Sequence, residues 1–138
     1  MTPVRTYVAL GSNLGPRERH LALARTELAA LPETAWCGAS SIEETAPLAG
    51  LEQPRYLNQM VALDTELTPR QLLLACQRIE RLAGRERRAR WESRTLDLDI
   101  VRYGSVALAD PDLELPHPGL RERDFWQREL AELAQMGC

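Results

Sequence analysis

The stretch Arg94-Thr-Leu-Asp97-Leu-Asp99-Ile100-Val101 carries two carboxylates two positions apart. Side chains alternate along a β-strand, so Leu96, Leu98 and Ile100 share one face while Asp97 and Asp99 share the other. The two aspartates then stand ~7 Å apart, Cα to Cα, on one surface. Like charges so placed raise each other's pKa, and a divalent cation removes that cost. Hard oxygen donors of this type suit Mg²⁺, above all where phosphates complete the shell. Taken alone, the pattern also describes an exposed strand with no ligand. Its surroundings point to a site.

From Arg78 to Arg94 there are seven arginines against three glutamates, a local charge of +4 in a chain whose net charge is −3. Arginine forks match phosphate oxygens, and Trp91 within the loop offers an apolar face to a planar ligand. All 17 basic residues are arginine, with no lysine anywhere, a bias that genome base composition also produces. Its absence excludes the P-loop lysine, Schiff-base chemistry and lysine general bases. Any phosphate must be held by arginine, backbone N–H groups or metal. The acidic balance argues against a dedicated nucleic-acid binder, whose affinity rests on neutralising phosphates.

These residues need a scaffold. The 138 residues suit a single domain spanning 1–138. Folding at that length hides roughly two-thirds of the open chain's surface. The apolar fraction of 44% and charged fraction of 27% are those of a globular chain. No apolar run approaches the ~20 residues of a membrane span, and the first residues lack a signal-peptide pattern, so a cytoplasmic protein with no membrane partner is expected. Cys37, Cys76 and Cys138 form no metal-ligand spacing, and His20 and His117 are the only histidines. Neither a disulfide framework nor a zinc site is expected.

Residues 4–10 read as a strand ending at the turn cluster Gly11-Ser-Asn-Leu-Gly15. Pro16 then opens a helix with Leu21, Ala24, Leu28 and Leu31 at helical spacing. Strands follow at 36–44 and 56–67, the second alternating only loosely. Thr68 and Pro69 start a second helix whose stripe is Leu72, Cys76, Ile79 and Ala83, and Gly84 ends it. Cys76 reads as core. The Arg-rich loop precedes a strand at 95–103, and a last helix fits 121–136. The order predicts an α+β, ferredoxin-like βαββαβ sandwich, an antiparallel sheet with helices on one face. The last helix has no assigned place.

Gly11-Ser-Asn-Leu14, Thr45-Ala-Pro-Leu48, Tyr56-Leu-Asn58, Gln77-Arg-Ile-Glu80, Gly84-Arg85, Arg94-Thr-Leu-Asp-Leu-Asp-Ile100 and Pro116-His-Pro118 occur in that order. Over residues 4–125 the chain resembles the 6-hydroxymethyl-7,8-dihydropterin pyrophosphokinase family of folate biosynthesis. The resemblance implies a ferredoxin-like fold and transfer of pyrophosphate from ATP to the pterin hydroxymethyl group, releasing AMP. It implies that Asp97 and Asp99 hold two Mg²⁺ ions and that Arg85 and Arg94 hold phosphate oxygens in catalysis. It puts Gln77, Glu80, Ile100, His117 and Arg123, with both of those arginines, around ATP. Tyr56 and Phe125 resemble the pair that stacks on the pterin. Asn58 and Thr45 resemble its edge readers, with Pro47 and Leu48 close by and Trp91 closing over the site. A monomer is expected.

The chain departs from the family pattern at Glu92, beside Arg94, and at Asp112 and Glu114, where acids stand near a phosphate site. After Phe125 the usual apolar strand and proline become Trp126-Gln-Arg-Glu129. These departures motivate an alternative, a degenerate paralogue that binds pterin or nucleotide without turnover. A ferredoxin-like RNA-binding module is a further alternative, but the strands lack its aromatic signature.

Overall fold

A computed structural model of the chain describes residues 2–46, 54–84 and 95–138. In chain order they form β1 (Val4–Ser12), α1 (Arg17–Ala29), β2 (Thr34–Ala39), β3 (Glu43–Thr45), β4 (Tyr56–Thr65), α2 (Pro69–Leu82) and β5 (Asp97–Tyr103). A short hairpin, β6 (Leu108–Asp110) and β7 (Leu113–Leu115), leads to a 3₁₀ turn at Pro118–Arg121 and to α3 (Asp124–Gln135).

The main sheet runs β2-β4-β1-β5 with all neighbours antiparallel, and β3 also pairs with β4. With β2 and β3 taken as one interrupted strand, this is the strand order of the split βαβ arrangement. Ser40 makes the interruption. Its N–H donates to the Met60 carbonyl, and its hydroxyl takes the Met60 N–H at 2.9 Å in place of a backbone carbonyl. The single strand expected over 36–44 is therefore two.

Local sequence chemistry sets the helix ends. Thr68 accepts from the Gln71 N–H while Gln71 Oε1 accepts from the Thr68 N–H, a full capping box ahead of Pro69. At the far end Gly84 adopts φ +82°, a conformation that other residues reach only with strain.

Alternation along the strands divides the core in two. Val8 and Leu10 of β1, Val61 and Leu63 of β4, and Leu98 and Ile100 of β5 pack with Leu21, Ala24 and Leu28 of α1 and Leu72, Cys76 and Ile79 of α2. The intervening residues Ala9, Met60, Ala62 and Val101 point the other way, onto Trp126 and Leu133 of α3. The two crossover helices thus share one face, as the sequence pattern demands, and α3 lies across the other. Each fully buried Leu on either side contributes ~1.5–3 kcal/mol. Cys76 is buried as expected, and burial pushes its thiol pKa up.

One expectation is corrected. Cys37 on β2 and Cys138 are joined in a disulfide, with Cα atoms 6.0 Å apart across 101 residues of sequence. The chain after α3 returns to the sheet face, where the Arg5 guanidinium and the Tyr7 hydroxyl donate to the Cys138 carbonyl oxygen. No local spacing encodes such a pair, because the fold alone brings its halves together.

Candidate active site

The part of the second sheet face that α3 leaves uncovered carries the chemistry. Strand register puts Asn58 opposite Gly11, and Gly11 opposite Asp97, so these three residues form one row across β4, β1 and β5. Directly opposed residues in antiparallel strands point to the same face. Asn58 and Asp97 are therefore two strand spacings apart, ~10 Å, over a floor with no side chain at Gly11. A Cβ there would touch Asn58 Oδ1 at 3.5 Å and the Tyr56 ring at 3.6 Å, so the glycine leaves open the space a methyl group would fill.

The aspartates face as the alternation requires. Leu96, Leu98 and Ile100 are buried, while Asp97 and Asp99 are half-buried on the opposite side. Because the side chain of Ile100 belongs to the core under the helices, only its main chain is available to a ligand. Ser12 helps to set the start of this segment. Its buried hydroxyl donates to the Thr95 carbonyl and lies 3.2 Å from His20 Nδ1 of α1.

A second group comes from the chain after β7. The His117 N–H donates to the Val101 carbonyl at 2.9 Å, pinning this residue to the end of β5. His117 Nδ1 accepts the Gly119 N–H at 2.9 Å, which leaves Nε2 as the N–H that faces Asp99 Oδ1, 3.7 Å away. Arg123 Nη1 stands 3.8 Å from Asp99 Oδ2. Both separations exceed hydrogen-bond length, and the Asp99 side chain keeps 41% of its exposure. Its oxygens therefore remain accessible to a ligand.

On the other side of the row, Asn58 is almost wholly buried and its amide donates to Thr45 Oγ1 at 2.6 Å. Tyr56 starts β4 and Phe125 sits in the first turn of α3, both half-buried. Gln77 is half-buried on α2, and Glu80, three residues on, is buried with its Oε2 accepting the Leu98 N–H at 2.8 Å. The fold thus gathers Thr45, Tyr56, Asn58, Asp97, Asp99, His117, Arg123 and Phe125 around one end of the sheet. Pro47, Leu48, Arg85, Trp91 and Arg94 lie outside the described residues, as does Glu92.

Sequence reasoning gave Trp126 no part in the site, yet it is 3% exposed, under Arg123 and against His117. The available signal was its spacing from Arg123, three positions along a helix start, where side chains meet. Asp112 is not loose near a phosphate site. Arg70 bonds it at 2.6 Å and also reaches Asp110 at 3.2 Å, and that pairing holds the Asp112 carboxyl below its usual pKa.

Two hard carboxylates on one strand face fit a magnesium ion that draws the rest of its shell from phosphate and water. Among the described residues no group of three or more metal-ligating side chains comes together.

Residues 7–135 match the family described as 7,8-dihydro-6-hydroxymethylpterin-pyrophosphokinase (HPPK). The chain is 44% identical over 130 residues to the 2-amino-4-hydroxy-6-hydroxymethyldihydropteridine pyrophosphokinase of Pseudomonas aeruginosa, covering 94% of this chain and 80% of that protein. The enzyme of the same name from Methylorubrum extorquens is 42% identical, with 94% and 82% covered. The folic acid synthesis protein fol1 of Schizosaccharomyces pombe is 34% identical over 128 residues, 93% of this chain and 18% of that longer protein. The strand order, the paired aspartates and these matches agree, and the chain belongs to the 7,8-dihydro-6-hydroxymethylpterin-pyrophosphokinase family.

Proposed function

We propose that this chain transfers the β,γ-pyrophosphoryl group of ATP to the hydroxymethyl oxygen of 6-hydroxymethyl-7,8-dihydropterin, releasing AMP, as a cytoplasmic step of folate synthesis. The observation that carries this reading is the Asn58–Gly11–Asp97 row. It sets an amide able to read a heterocycle edge ~10 Å from a metal-type carboxylate, across an open floor on one face. A flat alcohol lying over Gly11 has its ring edge at one end and its hydroxyl directed toward the other.

In the mechanism, Tyr56 and Phe125 flank the ring, and Asn58, held by Thr45, pairs with its polar edge. Arg123 and His117 present N–H groups beside Asp99, where phosphate oxygens gather. By resemblance, Arg85 and Arg94 hold the transferred group, Trp91, Pro47 and Leu48 close the site, and Gln77 and the Ile100 main chain meet the nucleotide. Asp97 and Asp99 are the residues to hold two Mg²⁺ ions, which when bound offset the triphosphate charge that the reaction concentrates at the bridging oxygen. The hydroxymethyl oxygen forms a bond to the β-phosphorus and releases its proton as the bond from that phosphorus to the α,β-bridging oxygen breaks, and that oxygen leaves on AMP. The protein's part is to align the two substrates and exclude water.

The test is AMP formation by the purified chain with ATP, Mg²⁺ and the pterin, each omitted in turn. AMP should appear only when all three are present, one per pterin consumed. No AMP from the complete mixture overturns the assignment, and so does equal AMP without the pterin. The alternative without turnover drew partly on Asp112, and the pairing of that residue with Arg70 weakens the motive for it.

A further inference from the structure

We propose that Trp126 is a positioning residue for the nucleotide half of this site, holding Arg123 and His117 in place opposite Asp99. The inference rests on the reading that a nucleotide binds there. The Arg123 guanidinium carbon lies 4.3 Å from the centroid of the Trp126 ring, over its face. The His117 ring meets the same indole edge to face, with centroids 4.9 Å apart and planes at 84°. One indole therefore touches both groups that approach Asp99 from the C-terminal segment.

Gly119 lies close to the same two side chains. A Cβ built on Gly119 would lie 3.1 Å from Arg123 Cζ and Nε and 3.2 Å from His117 Nδ1. Those distances are tighter than ordinary van der Waals contact, so a side chain at position 119 would crowd both Arg123 and His117, and the glycine leaves them the room they occupy. Arginine pays considerable rotamer entropy when it is ordered, and a guanidinium already stacked on an aromatic has met part of that cost before a phosphate arrives. The indole itself is anchored among Ala9 of β1, Met60 and Ala62 of β4, Val101 of β5 and Leu133 of α3, and β5 is the strand that carries the aspartates.

A residue that only filled core would affect both substrates and the fold alike. A positioning residue affects the nucleotide alone. Trp126→Leu keeps an apolar side chain in the core but removes the π-face, and Trp126→Phe restores a π-face. Titration of the Mg²⁺ complex of a non-hydrolysable ATP analogue should show about tenfold weaker binding for Trp126→Leu, with recovery to within about threefold for Trp126→Phe. The pterin dissociation constant should stay within about twofold of wild type, and KM for ATP should rise far more than kcat falls. Gly119→Ala keeps the indole itself and crowds Arg123 and His117 directly. It should weaken the nucleotide in the same sense, and it carries the test should Trp126→Leu not fold.

Unchanged nucleotide affinity in folded Trp126→Leu, or in Gly119→Ala, overturns the proposal. So does equal loss of pterin and nucleotide, which marks a packing role only. Wild-type protein that fails to bind the analogue at all overturns the site reading as well, and that outcome is distinct from wild-type binding that the substitutions leave unchanged.

Discussion

Glu80 of α2 accepts the backbone N–H of Leu98 of β5 at 2.8 Å in a buried position. Leu98 lies between the two aspartates on the strand at the edge of the sheet. An edge strand presents alternate N–H groups that have no neighbouring strand to receive them. Here a carboxylate from the helix takes that place, so the segment carrying Asp97 and Asp99 is tied to α2 as well as to β1. Glu80 thus has a structural reason to be present in addition to the nucleotide contact that the resemblance implies.

Substituting Glu80 therefore separates the two roles. Glu80→Ala strands a buried N–H and should destabilise the fold by about 1–3 kcal/mol, while Glu80→Gln keeps an acceptor and should cost less. Chemical denaturation of the two variants measures this. If Glu80→Ala is as stable as wild type, the tie to Leu98 contributes nothing.

Asp97→Ala and Asp99→Ala should each lower AMP formation by at least 10²-fold, because each removes a hard oxygen donor where charge accumulates. Both side chains are half-buried on the open face, so the fold should stay within about 1 kcal/mol of wild type. Turnover and thermal melting on the same samples check both halves of the expectation. Near-normal catalysis by either variant would remove these aspartates from the metal role.

The orientation of those aspartates was legible in the sequence because a period of two leaves no other option once Leu96, Leu98 and Ile100 are turned inward. The helix at 69–82 was legible through its cap and its stripe. The place of α3 was not. Its apolar residues say that it buries a face, without saying which surface receives it. The missed signal lay in β4, where Met60, Val61, Ala62 and Leu63 are consecutive and all fully buried. A strand apolar on both sides must be covered on both sides, and the loose alternation at 56–67 is the mark of that. The gathering of Asp99, His117, Arg123 and Trp126 depends on the return of the chain after β7, which no local pattern encodes.

The Cys37–Cys138 bond closes a long loop and anchors the segment after α3 to β2. Reduction should lower stability by about 2–4 kcal/mol, the usual range for a native disulfide, and Cys138→Ser should reproduce that loss. Denaturation with and without reductant measures the difference, and the Cys138→Ser variant should not respond to reductant. Equal stability in both redox states would show that the bond adds nothing to the hold of α3 on the sheet.

Glu129 of α3 predicts the pH behaviour. It is 1% exposed, and its carboxyl faces that of Glu43 of β3, a pairing in which one carboxyl must keep its proton to donate. Burial pushes its pKa up to about 9, with the neighbouring Glu43 and Glu132 adding to the rise and Arg128 opposing it. In the folded protein Glu129 therefore stays protonated where an unfolded chain, with an ordinary carboxyl near 4.5, has already released its proton. The folded state binds the extra proton throughout that window, so stability falls as pH rises from about 4.5 toward 9 and is greatest at the acidic end. Glu129→Gln removes the titration and should flatten this slope. Glu129→Leu should also raise stability at pH 8 by about 1–4 kcal/mol, because a buried ionisable group is replaced by an apolar one. Denaturation midpoints of the three proteins from pH 5 to pH 9 measure the effect. A wild-type stability that rises across that range, or an equal slope in Glu129→Gln, would show that the α3–β3 contact holds an ionised carboxylate.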